Sequence, residues 1–164
     1  MHTTRIDLLQ GMPIFGAIRE DALQFLLEQA HEVLVGAGQF FFRENDQATS
    51  MFVLESGRAV VLKGWQGHDI ELHRLRAGDC FGEMALMDLF PRSASVRAVE
   101  DCQAIELTTA DLLRLFERDA EQFALIQMNI GREVCRRLRA TDELLFNATM
   151  GEKHSGVETL FLDL

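Results

Sequence analysis

The chain has 164 residues, enough for one domain with a proper core, and 48% of them are hydrophobic, so a globular, soluble body is expected. Its 16 Lys and Arg stand against 26 Asp and Glu, a net charge of −10 with a pI near 4.9, which repels a phosphate backbone and argues against nucleic-acid binding by this chain alone. No apolar run reaches the roughly 18 residues of a membrane span and no basic segment with an apolar core opens the chain, so no membrane association and a cytoplasmic location are expected.

Thr3 offers a cap for a short helix that carries Ile6 and Leu9 on one side and ends near Gly11 and Pro13. From Arg19 to Ala30, the spacing of Ala22, Phe25, Leu26 and Ala30 predicts a second helix with one apolar face on a core. From His31 to Thr108 the apolar runs shorten to strand length, over 31–35, 39–42, 51–54, 59–62, 70–75, 96–99 and 102–107. Gly36 with Gly38, Asn45 with Asp46, Ser56 with Gly57, Gly64 with Gly67 and Gly78 with Asp79 punctuate them at the rhythm of an antiparallel sandwich or barrel. Ile70, Leu72 and Leu75 alternate imperfectly with Glu71, His73 and Arg74, which predicts a strand with one wet face.

Thr108 or Thr109 can cap a helix reaching about Asp119, and a longer helical pattern runs from Ala120 to Phe146. Its apolar line, Phe123, Ile126, Ile130, Val134, Leu138 and Leu145, is longer than a small domain buries alone, so a second packing partner for this helix is expected. Arg132, Arg136, Arg137 and Arg139 on the same helix read as a solvated face. The organisation is therefore one domain over residues 1–146, with N-terminal helices over 3–30, a β-roll over 31–108 and C-terminal helices over 109–146, then a tail over 147–164. Cys80, Cys102 and Cys135 form no CxxC pair, which argues against a disulfide frame or zinc site; they are expected to be reduced and mostly buried.

The segment with readable chemistry is FGEMALMDLFPRSASV, residues Phe81 to Val96. Gly82 lets the chain turn tightly, so the amides of Glu83, Met84 and Ala85 can open a short helix and point at an anion. Arg92 can close that site with a planar fork of donors matched to phosphate oxygens. Glu83 would repel the phosphate itself but suits a neighbouring ribose hydroxyl as an acceptor. Together they read as a nucleotide site.

Phe81, Gly82, Glu83, Pro91, Arg92, Ser93 and Ala94 stand in the order of the phosphate-binding cassette of cyclic nucleotide-binding domains, and the chain resembles that family as found in the bacterial catabolite activator. The resemblance implies a mainly β fold with flanking helices: an antiparallel β jelly-roll barrel, N-terminal helices and a long C-terminal helix. It implies that Arg92 and the helix-start amides hold the cyclic phosphate, that Glu83 holds the 2′-hydroxyl, and that two copies of the chain pair as a homodimer along the long C-terminal helix. It also implies that Thr141, which follows Arg136-Arg137-Leu138, touches the base; Asp142 stands where the family has a serine from the opposite subunit. A family glycine is replaced by Asn45, which tolerates a left-handed backbone better than other non-glycine residues. Ser93 fits cyclic AMP better than cyclic GMP in this pattern.

The expected function is a stand-alone cyclic nucleotide sensor, since the eighteen residues after Phe146 cannot house a winged helix, signalling to an effector protein through its C-terminal helix. The alternative is a degenerate domain that keeps the fold as a protein-interaction scaffold. Catalysis is not expected: His68 and His73 lack the clustered ligands of metal-dependent jelly-roll enzymes, and neither a metal nor a further cofactor is called for.

Overall fold

Short apolar runs bounded by turn residues fold into strands, and the longer periodic segments at both ends fold into helices. The computed structural model describes the backbone of residues 5–162 and the side chains of residues 5–151. In chain order the elements are α1 (Arg5–Gln10), a 3-10 turn (Pro13–Phe15), α2 (Glu20–Gln29), β1 (His31–Val35), β2 (Phe40–Phe42), β3 (Ser50–Ser56), β4 (Arg58–Trp65), β5 (His68–Arg76), β6 (Cys80–Phe81), α3 (Met84–Asp88), β7 (Ser95–Ala98), β8 (Cys102–Thr108), α4 (Thr109–Arg118) and α5 (Ala120–Leu162). The expected Thr3 cap lies outside the described residues. The two-residue β6 is too short to show as an apolar run.

The strands form two four-stranded antiparallel sheets, ordered β1-β8-β3-β6 and β2-β7-β4-β5. This is the mainly β jelly roll read from the sequence, with its roll made of two facing sheets rather than a ladder closed all round. Phe52, Leu54, Ala104 and Cys102 of the first sheet meet Ala59, Val61, Val96 and Ala98 of the second in one buried cluster. Met51, Val53, Ile105 and Leu107 alternate with that set, so they lie on the first sheet's other face, and they too are buried. Leu9, Leu23, Leu26, Leu112 and Leu115 from the helices are among the buried apolar side chains available to cover it.

Position-specific chemistry sets several boundaries. Thr108 caps α4 in a reciprocal box: its Oγ1 accepts from the Asp111 N–H at 3.1 Å and the Thr108 N–H donates to Asp111 Oδ2 at 2.8 Å. Asp119 Oδ1 accepts from the Gln122 N–H at 3.1 Å at the start of α5. Two side chains of the first turns of α5 then grip the N-terminal helices. Gln122 Oε1 accepts from the Arg19 N–H at 2.8 Å, and the buried Asn129 donates to the Gly16 carbonyl at 2.9 Å and the Ile14 carbonyl at 3.3 Å.

The chain divides into two compact units, residues 1–129 and 130–164. α5 continues to Leu162 instead of ending at Phe146, so the segment read as a tail begins as helix. Residues 147–162 contain no proline, and Gly151 and Gly156 lower helix propensity without blocking its hydrogen bonds. The side chains of residues 152–164, with the apolar end from Val157, lie outside the described residues. Cys102 is buried, Cys80 half-buried and Cys135 exposed, and none of the three is in a disulfide, so burial holds for one of the cysteines rather than for most. β5 likewise departs from one wet face, since Leu75 alone of its nine residues is buried.

Gly57 joins β3 to β4 at φ +88°, and a Cβ there would stand 2.5 Å from the Asp101 carbonyl oxygen and 2.7 Å from Cys102 Sγ. Gly57→Ala is expected to cost about 2 kcal/mol or more, from the left-handed backbone plus the clash. Urea unfolding measures it, and an unchanged midpoint would contradict this account of the turn.

Candidate functional site

The site is built on an aromatic floor. Phe81, at the end of β6, stacks on Phe52 of β3 with centroids 5.3 Å apart at 15°, and meets Phe41 edge-on at 5.0 Å. Phe42 lies tilted against both Phe52 and Phe81. Consecutive residues of a strand ordinarily face opposite ways, yet Phe41 and Phe42 both pack on the core. A bulge explains it: Phe40 pairs with Arg97 and Phe42 with Val96, so Phe41 is the extra residue of β2.

Gly82 follows Phe81 at φ +79°, and its missing side chain is space that Arg92 uses: a Cβ would lie 2.6 Å from Arg92 Nη1. The turn leads into α3 through Glu83, which has αR backbone and is 1% exposed. The first amides of α3 have no intrahelical acceptor by helix geometry. Ala85 is buried while Met84 is exposed. The helix closes at Leu89, whose φ of 60° is unusual for leucine.

Arg92 lies across one end of the sandwich and is 5% exposed. Nη1 donates to the Gly82 carbonyl at 3.0 Å and Nη2 to Ser50 Oγ at 3.3 Å. Its guanidinium carbon stands 4.0 Å over the Phe42 ring and 5.8 Å over that of Phe52. The main chain is pinned as firmly: the Arg92 N–H donates to the Asp46 carbonyl at 2.9 Å, and the Asn45 N–H donates to the Arg92 carbonyl at 2.8 Å. Asn45 sits at φ 71°, the left-handed conformation that its place in the pattern called for. Burial pushes the Arg92 pKa below the ordinary arginine value, while the charges of Glu106 and Asp46 pull it up. Arg92 Nε is buried with no acceptor among the described residues. A buried cation with an unused donor is a binding arrangement for an anion.

Ser93 is exposed and its carbonyl accepts from Lys63 Nζ at 2.6 Å; Lys63 also pairs with Glu44 at 2.5 Å. Ala94 is buried in the core cluster. The structure thus brings Phe81, Gly82, Glu83, Met84, Ala85, Arg92, Ser93 and Ala94 into one end of the residue 1–129 unit. Thr141 belongs to the other unit, is exposed, and donates its hydroxyl to the Arg137 carbonyl at 3.0 Å. Ser50, Phe42 and Lys63 also shape the site and escape a reading of the sequence, because a serine opening a strand, a strand phenylalanine and a hairpin lysine carry no local signal of their partners.

The family model for "Cyclic nucleotide-binding domain" matches residues 32–119. The chain belongs to the cyclic nucleotide-binding domain family. It is 30% identical to the cyclic AMP receptor protein of Thermus thermophilus over 82% of this chain and 61% of that protein. The crystal structure of the catabolite activator protein of the same organism superposes with a TM-score of 0.72 at 30% identity, covering 81% of this chain and 61% of that one. The regulatory domain of Toxoplasma gondii PKA, in a co-crystal with cAMP, gives 0.64 at 25% identity over 67% of this chain and 42% of that one. The chain thus spans about three fifths of the length of the Thermus proteins it matches. No helix among the described residues is long and apolar enough to cross a membrane.

Gly82→Ala is expected to lose about 1–2 kcal/mol from the left-handed backbone alone, and to push Arg92 off the Gly82 carbonyl. Thermal unfolding and the Arg92 side-chain NMR signals read the two effects; wild-type values for both would overturn the packing argument.

Proposed function

We propose that this cyclic nucleotide-binding domain binds cyclic AMP in preference to cyclic GMP and acts as a regulatory sensor. The observation that carries the reading is Arg92: a guanidinium 5% exposed, stripped of solvent, paired with a carbonyl and a hydroxyl instead of a carboxylate, and with Nε left over. A cyclic phosphate supplies the missing negative charge and acceptor oxygens, and Arg92 with the first amides of α3 would hold it. Glu83, buried next to Gly82 in the same turn, would accept from the ribose 2′-hydroxyl. Thr141 is the candidate for the base, with Ser93 favouring adenine. No further cofactor is required by this reading.

The regulatory half of the proposal rests on α5. Its Leu138, Leu144, Leu145 and Phe146 are exposed, which suits a seam with a second copy of the chain. Ligand then acts by binding one arrangement of that helix better than another, and an effector protein reads the difference.

Calorimetry tests the site. Arg92→Ala is expected to weaken cyclic AMP binding by about 1.5–3 kcal/mol, roughly tenfold to a hundredfold and more, the worth of a hydrogen bond to a charged group. 2′-Deoxy cyclic AMP should bind the wild type more weakly than cyclic AMP and bind Glu83→Ala equally to it. Absence of binding by either cyclic nucleotide at sub-millimolar concentration defeats the proposal.

The seam has its own measurement. Leu145→Glu with Phe146→Glu is expected to shift sedimentation from dimer to monomer; a monomeric wild type would rule the seam out.

A further inference from the structure

The second sheet turns an arginine-rich face to solvent, and nothing in the nucleotide site uses it. Register places Phe40 of β2, Arg97 of β7, Val60 of β4 and Arg74 of β5 directly opposite one another in a row across four strands. Val60 alternates with the core residues Ala59 and Val61, so this row lies on the face away from the core. Two residues along, Arg58 and Arg76 are opposed on the same face, a like-charge pairing that costs stability when left uncompensated. At the rim, the Arg43 guanidinium lies 3.8 Å over the Phe40 ring, and that of Arg97 is 5.9 Å from the same ring.

Val60 and Leu62 are each only 3% exposed although they point away from the core, so neighbouring groups cover them. The charged heads remain at the surface: the Arg58 side chain is 64% exposed and that of Arg74 71%. Among the described residues, Asp69, Glu71 and Glu44, the last held by Lys63 and the Gly64 N–H, bring acids to this face toward the hairpin end, and Glu100 does so at the opposite rim. Glu71 pairs with Arg74 at 2.7 Å and Glu100 with Arg58 at 2.7 Å, exposed pairs that are weak and easily exchanged. The face keeps a surplus of positive charge on a chain of net charge −10.

We propose that this face docks an acidic segment of a protein partner, with Arg43, Arg58, Arg74, Arg76 and Arg97 binding its carboxylates and Phe40 taking an apolar side chain between them. Arginine beside aromatic and aliphatic surface is the composition of protein interfaces, and the guanidinium fork matches a carboxylate. A nucleic-acid strand is disfavoured, because it would run past this patch onto an acidic surface within a Debye length of roughly 8–10 Å. The proposal is independent of ligand binding at Arg92.

The 15N-labelled full chain is titrated with a twelve-residue peptide of glutamates bearing a leucine at every fourth position. Saturable amide shifts are expected on β2, β7, β4 and β5, weakening with added salt. Arg74→Glu with Arg97→Glu should weaken the peptide about tenfold, as for reversal of charge pairs at an interface, and leave cyclic AMP affinity unchanged. Should that variant unfold, Arg43→Gln with Arg76→Gln decides, since both side chains are at the surface; a clear loss of peptide affinity supports the proposal. It is overturned by shifts confined to other elements, by undiminished affinity in the folded variants, or by tighter binding at this face of a single-stranded oligonucleotide or of phosphatidylserine vesicles.

Discussion

A guanidinium taken out of water loses several kcal/mol of hydration, and the fold around Arg92 is organised to meet that cost. Donors go to the Gly82 carbonyl and Ser50 Oγ, and the Phe42 ring presents its negative face to the cation. None of these partners carries a formal charge. The cation is therefore solvated in part without being neutralised by them, which makes it far more responsive to an arriving anion than an arginine already locked to a carboxylate. Glu106 and Asp46 contribute only through their charges, without a hydrogen bond to the guanidinium. The same logic favours glycine at position 82, since a Cβ there would stand 2.6 Å from Arg92 Nη1 and displace it.

The scaffold holds this cation by joining both sheets at it. Ser50 and Phe52 come from the first sheet and Phe42 from the second, while the hydrogen bonds to Asp46 and from Asn45 tie the Arg92 main chain to the loop after β2. The bulge at Phe41 turns two successive aromatic residues inward, so one short strand supplies both a core ring and the ring beneath the guanidinium. Lys63 attaches the hairpin to the Ser93 carbonyl. An exposed salt bridge such as Lys63 with Glu44 adds little stability, but it fixes the direction of the chain next to Arg92.

How much of this is legible in the sequence depends on the range of the interaction. The strands are visible because apolar runs and turn residues are local, and α4 is visible because its capping box spans four residues. The spacing of Gly82, Glu83 and Arg92 is legible for the same reason: one turn and one short helix determine it. The end of α5 is not. Apolar periodicity fades at Phe146 and a loss of periodicity looks like a loss of helix, whereas the backbone needs only the absence of proline to continue to Leu162. Ser50 is invisible as a partner of Arg92, since 42 residues separate them.

The amino-acid sequence by itself determined the family, most of the strands and helices and the identity of the groups between Phe81 and Val96, because each depends on residues close together in the chain. Only the tertiary structure decided that Arg92 is buried, that its hydrogen-bonding neighbours are neutral, and that five arginines scattered from Arg43 to Arg97 gather on one sheet face of an acidic protein. The physical reason is strand pairing. Register, bulges and sheet order place side chains opposite one another across tens of residues, and desolvation then sets what their charges can do.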